Sequence, residues 1–127
     1  MKAFGVLFSI LVFSSFAHAQ KVPNAIVESL TGLRIEKIDL NEKALKVVYL
    51  DEKISDLMAI SAAHSICGTR YLTPKGFNDD AIEVVKVYNH WEMQGYEFKL
   101  NGKACDELGK LASDDYNDAI RKIMTPL

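Results

Sequence analysis

Apolar and polar residues change period several times along this chain, and each change marks an element. After Met1-Lys2 comes an almost unbroken apolar run, Ala3 to Phe13, then Ser14-Ser15-Phe16 and Ala17-His18-Ala19. A short basic start, a brief apolar stretch and a small-x-small ending predict a cleaved secretory signal over residues 1–19. The run stops well short of the ~20 residues a bilayer span needs, and no stop-transfer segment follows. The residue directly after the cleavage point is Gln20 and not Cys, so the pattern carries no lipid-anchor signal. The working protein is expected to start at Gln20, outside the cytoplasm, as a single domain over 20–127.

Beyond the leader, Asn24 and Gly32 bracket Ala25 to Thr31 as a short helix, with Asn24 as its cap. Leu33 to Leu40 alternates, with one slip at Glu36-Lys37 that predicts a bulge. Asn41-Glu42-Lys43 reads as a turn into the β-branched and aromatic run Leu45 to Leu50, which predicts an antiparallel hairpin. Next, Ile54, Leu57, Met58, Ser61, Ala62, Ser65 and Ile66 recur at intervals of three and four. That spacing predicts a helix over roughly 52–67, capped by Asp51 and ended by Gly68, with small residues suited to close packing on a sheet.

Breakers place a loop over Thr73 to Asp80. Residues 81–93 fit both periods. A helix would group Ala81, Val84, Val85, Tyr88 and Trp91, and a strand would set Val85, Val87, Trp91 and Met93 against Lys86, His90 and Glu92. Their β-branched and aromatic content favours the strand. Gly95 then belongs to a tight connection into the alternating Tyr96 to Leu100, ended by Asn101-Gly102. One or two amphipathic helices follow, over Ala104 to Leu111 and Asp115 to Met124. The sum is α-β-β-α-β-β-α, an α+β domain with four antiparallel strands and helices packed on one face.

Cys67 and Cys105 are the only two cysteines, and both lie beyond the leader. In an oxidising compartment such a pair predicts one structural disulfide, since the C-x-x-C spacing of a redox pair is absent. Closing so long a loop restricts the unfolded chain by ~4 kcal/mol. The formal charge is −2, one unit more negative once Lys2 leaves with the leader, and Lys and Arg are dispersed. That argues against nucleic acid as a partner and against docking on a membrane surface.

Candidate chemistry is sparse. His64, Cys67, His90 and Cys105 could be drawn as a zinc site, but the spacing lacks a second short ligand pair and a disulfide would consume both thiols, so no metal or other cofactor is expected. Ser55, Ser61, Ser65 and Ser113 have no nucleophile context, and the acid pairs Asp79-Asp80 and Asp114-Asp115 read as helix-start or element-start caps. The chain is read as a non-enzyme. What stands out is aromatic: Tyr88, His90 and Trp91 are expected near Tyr96 and Phe98 across paired strands, with Trp91 the choice between largest core residue and interface anchor. The loop Arg70 to Phe77 displays Tyr71 and Phe77 as a second surface, and Asp79 and Asp80 are expected to steer a basic partner.

The run Tyr96 to Leu100, a short turn, Cys105, then Leu108 and Leu111, resembles the strand-then-cysteine-helix segment near the end of type IVb pilins. The resemblance implies an accessory part of a pilus or secretion apparatus. The N-terminus departs from it, because a pilin keeps its long apolar helix whereas this leader ends in an A-x-A site. The expected function is a small periplasmic or secreted protein-binding module, of the inhibitor or immunity-protein type or an envelope-apparatus accessory, that works by steric contact. Its interface candidates are Trp91, Tyr96, Tyr88, His90, Tyr71, Phe77, Asp79 and Asp80. A small-ligand-binding protein or a small hydrolase is the alternative. Nothing in the pattern sets an oligomeric state.

Overall fold

A hairpin opens the sheet where the alternation predicts it. In the computed structural model, which describes residues 20–127, β1 (Ile35–Asn41) pairs antiparallel with β2 (Ala44–Tyr49). The two-residue turn puts Glu42 at φ 50° and Lys43 at φ 65°. Two positive φ values give the turn a twist that matches the strands it joins. The register shifts between Ile35 and Lys37, so Glu36 is the bulge that the broken alternation foretells. The expected leader, Met1 to Ala19, lies outside the described residues.

The remaining elements are α1 (Asn24–Ser29), α2 (Asp56–Gly68), a 3-10 turn (Thr69–Tyr71), β3 (Val84–Tyr88), β4 (Gly95–Phe98), α3 (Gly102–Leu108), α4 (Ser113–Lys122) and β5 (Met124–Pro126). The class is α+β, as expected, but the sheet has five strands in the order β1-β2-β3-β4-β5 and is mixed. β2 and β3 run parallel, with Leu45 beside Val85 and Val47 beside Val87. This corrects the expectation of four antiparallel strands. α2 carries the chain back along the sheet, so β3 starts at the same end as β2, which is the crossover that a parallel pair requires. Alternation inside a strand is the same in either direction and carries no sign of this. The fifth strand was hidden in an apparent helix end: after Ile123 the chain reverses, and Met124 and Pro126 pair with Phe98 and Tyr96. An edge strand tolerates Pro126, which has no N–H to offer.

Leu45, Val47, Val85, Val87 and Phe98 share one core with Ile26, Ala59, Ala63 and Ile66 of the helices. The alanines keep α2 close to the sheet. Lys37, Asp39, Lys46, Lys86 and Glu97 alternate with these positions and occupy the opposite face, where Lys46 pairs with Asp39 and Lys86 with Glu97. Two caps differ from expectation. α2 begins four residues later than Glu52, with Ser55 Oγ accepting from Met58 N at 3.2 Å, while Asp51 instead pairs with Arg34. Asn24 is the first residue of α1 and makes no side-chain cap bond. Cys67 and Cys105 are disulfide-bonded, their Cα atoms 5.0 Å apart, joining the end of α2 to α3. Among the described residues, no helix is long and apolar enough to cross a membrane.

Candidate functional site

Residues 89–94 decide where the aromatic side chains go. β3 stops at Tyr88 because Asn89, only 4% exposed, turns its carboxamide into the connection. Its Nδ2 donates to the Glu52 carbonyl at 2.6 Å, and its Oδ1 accepts from Met93 N at 2.9 Å and Gln94 N at 3.0 Å. Its own N–H donates to the Gln94 carbonyl at 2.9 Å, and its carbonyl accepts from Glu92 N at 3.0 Å. Gln94 completes the frame: Oε1 accepts from Ile54 N at 2.8 Å, and Nε2 donates to Ile54 O at 2.9 Å. The Asn89 amide thus supplies hydrogen bonds that a sheet ladder would otherwise give this backbone, and the Gln94 amide ties the connection to the segment before α2.

The connection folds back over the open face of the sheet. Glu92, at φ 56°, accepts from Lys46 at 2.8 Å and from Lys37 at 3.0 Å, bridging β2 and β1. Those two ammonium groups, Lys46 foremost, hold the Glu92 carboxyl below the usual carboxylate range. A non-glycine residue at positive φ costs ~1–2 kcal/mol, so the surrounding bonds must over-determine its conformation. His90 donates its N–H to the Asp51 carbonyl at 2.8 Å, bonds Glu36 at the β1 bulge through Nδ1, and meets the Trp91 ring at 4.4 Å edge-on. On this fixed backbone Trp91 is 59% exposed and Met93 83% exposed. The core alternative for Trp91 therefore gives way to a surface position.

The expected aromatic cluster does not assemble. Tyr96 and Phe98 face the helices beside Val87 and Val85, whereas Tyr88 lies on the opposite face beside Val48. Phe77 is buried, with the Arg70 guanidinium carbon 5.3 Å from its ring centre. Arg70 itself is 2% exposed. It donates to Asp106 through Nε at 3.2 Å and Nη2 at 2.8 Å, to the Phe77 carbonyl through Nη1 at 2.6 Å, and to Asp79. These bonds hold the Asp106 carboxyl below its ordinary range, with Lys75 adding to the effect. The Asp79 carboxylate, though half-exposed, is thereby committed to Arg70, leaving Asp80 as the member of that acid pair without an ion-pair partner among the described residues. Gly102 makes the arrangement possible, since a Cβ there would meet Arg70 Cζ at 2.7 Å.

Tyr71 belongs to a third place, a groove of about 520 Å³ on the outer side of the helix layer. Its floor is Ile60 and Leu108, and its rim includes Leu57, Tyr71 and Leu111, all well exposed. Tyr71 donates its hydroxyl to the Cys105 carbonyl at 3.1 Å and lies across Gly109, where a side chain would collide with the phenol. His64 sits in the same groove and meets the Tyr116 ring edge-on at 5.1 Å. Ser61 and Ser113 line it too, yet among the described residues no hydrogen bond joins either to His64. His64 and His90 are thus held by different partners in different places, both thiols are spent in the disulfide, and the described residues hold no cluster of three metal-ligating side chains.

Asn89, Gln94 and the Arg70–Asp106 pair were missed by sequence reasoning. The one available signal was the position of two amides flanking an aromatic, charged stretch that otherwise scans as strand. No protein family, curated protein or solved structure matches this chain.

Proposed function

We propose that this is a small exported protein-binding module, periplasmic by its leader, that acts by steric contact as an inhibitor or immunity-type protein or as an accessory of an envelope apparatus. The observation that carries this reading is Trp91 and Met93 standing exposed on a backbone fixed from beneath by Asn89 and Gln94. Trp is the residue type most enriched among the anchors that dominate protein interfaces, and a preorganised anchor loses little conformational entropy on binding. The surrounding polar side chains already have partners, Glu36 in His90, Glu92 in Lys37 and Lys46, and Arg34 in Asp51. Recognition at this turn is therefore apolar in its centre with a polar rim. A basic partner is supported only by the formal charge of −2 and by Asp80.

The test is affinity capture from an envelope extract of the native organism, using protein expressed from the full chain beside the double variant Trp91→Ala/Met93→Ala. A single stoichiometric protein retained by the native chain, and released by the double variant with at least ~30-fold weaker affinity, supports the reading. Equal retention by both, or no protein retained, rejects it. Intact-mass measurement of the exported protein tests the leader, with Gln20 as the expected first residue.

A further inference from the structure

The groove between α2 and α4 is independent of the Trp91 turn. It lies on the helix layer, whereas the turn folds over the opposite face of the sheet. Its walls are apolar, and among the side chains lining it there is no Lys, Arg, Asp or Glu. A charged ligand would find no counter-charge there and would lose its hydration without compensation. Six side chains able to hydrogen-bond interrupt the apolar wall: Ser61, His64, Tyr71, Ser113, Tyr116 and Asn117. The Tyr116 hydroxyl is shielded from solvent and has no partner among the described residues, and burial beside Tyr71 pushes its pKa up to about 12, so it remains a donor throughout the physiological range. A buried hydroxyl without a partner is an uncommon feature in a folded protein and calls for an explanation.

The shape adds a second restriction. Arg121 of α4 pairs with Asp56 at the first turn of α2 at 2.6 Å, so the helices are tied beside the Leu57 end of the groove. Tyr71, anchored on the Cys105 carbonyl, stands at the other end. A bounded space of about 520 Å³ lies within the range of small-molecule sites. We propose that this groove binds an uncharged small molecule with an apolar body and a hydrogen-bonding head, the body lying on Ile60 and Leu108 and the head meeting His64 and, by parting the side chains that now shield it, the Tyr116 hydroxyl.

Titration of isotope-labelled protein, expressed from the full chain, with hexanol, heptanol and octanol tests this by NMR. The expected result is saturable shifts at Ile60, His64 and Tyr116, with affinity rising about fourfold for each added CH₂ as the groove takes up more chain. Ser61→Trp fills the groove from its exposed lip and should weaken binding at least tenfold, and Leu111→Asp on the rim should do the same by placing a charge there. Trp91→Ala should leave alcohol binding unchanged, which keeps this result separate from the fate of the protein-binding reading. Shifts that never saturate, affinities independent of chain length, or binding that survives both groove variants would overturn the proposal. So would shifts at these residues from an apolar peptide but not from the alcohols, which would assign the groove to a macromolecule.

Discussion

The Arg70 cluster and the Asn89 connection are both buried polar networks, and they do opposite things. Arg70 turns every donor inward, to Asp106, Asp79 and the Phe77 carbonyl, so that the segment after α2 is locked against α3. Asn89 also spends its groups on backbone, but the backbone it fixes carries Trp91 and Met93 out into solvent. One network consumes side chains that the sequence offers as surface candidates, including Asp79. The other creates a presenting surface from residues that looked like ordinary strand. The difference teaches that charge or aromaticity at a position says little about availability until its hydrogen-bond partners are known.

The comparison can be broken at several levels. Reducing the Cys67–Cys105 disulfide releases the covalent tie beside the Arg70 cluster and should lower stability by about 4 kcal/mol, read as a clear fall in Tm on adding reductant. Arg70→Ala comes next. Breaking a buried ion pair typically costs about 3–5 kcal/mol, and the half-exposed carboxylates of Asp79 and Asp106 place this case at about 3. Chemical denaturation of the variant measures it, and partner binding at the distant turn should persist in the folded fraction. Asn89→Ala leaves the Met93 and Gln94 N–H groups and the Glu52 carbonyl without their partner, for an expected loss of about 2 kcal/mol. Unlike Arg70→Ala, it should also weaken capture of the partner, because it frees the backbone under Trp91.

Acid sharpens the comparison further. Asp106 and Glu92 both have folded pKa values below their unfolded ones, Asp106 through Arg70 and Glu92 through Lys46 and then Lys37. Their contribution to stability is therefore complete above the ordinary carboxylate range of about 4 and is lost as pH falls through the lowered folded values. Tm should decline with acid across that window, and Arg70→Ala should flatten the decline by returning Asp106 towards its ordinary value. The smallest effect belongs to Trp91→Ala, expected within about 1 kcal/mol of native stability because most of the indole is already in water. A variant that unfolds would mean that the side chain supports the turn and is not presented by it.

Much of the local structure was legible from residue order. The hairpin, the Glu36 bulge and the body of α2 follow from hydrophobic periodicity, which is a property of neighbouring residues and survives without knowledge of the fold. The paired cysteines were legible because two thiols in a chain expected to be exported have one simple bond to make. The candidate site was less so. Alternation across residues 81–93 puts Trp91 and Met93 on one face of a single strand, but the strand ends at Tyr88 because Asn89 finds the Glu52 carbonyl, far away in sequence. Phe77 and Asp79 looked available until Arg70 claimed them in a space that Gly102 leaves open.

By itself, the sequence determined the α+β class, the positions of most helices and strands, and the cross-link, because these rest on local period and covalent chemistry. Only the tertiary structure decided the parallel join of β2 to β3, the short fifth strand, the burial of Arg70 and the exposure of Trp91. Each of those depends on a hydrogen bond or a packing space supplied by a residue distant along the chain, and local pattern contains no record of which distant residue that will be.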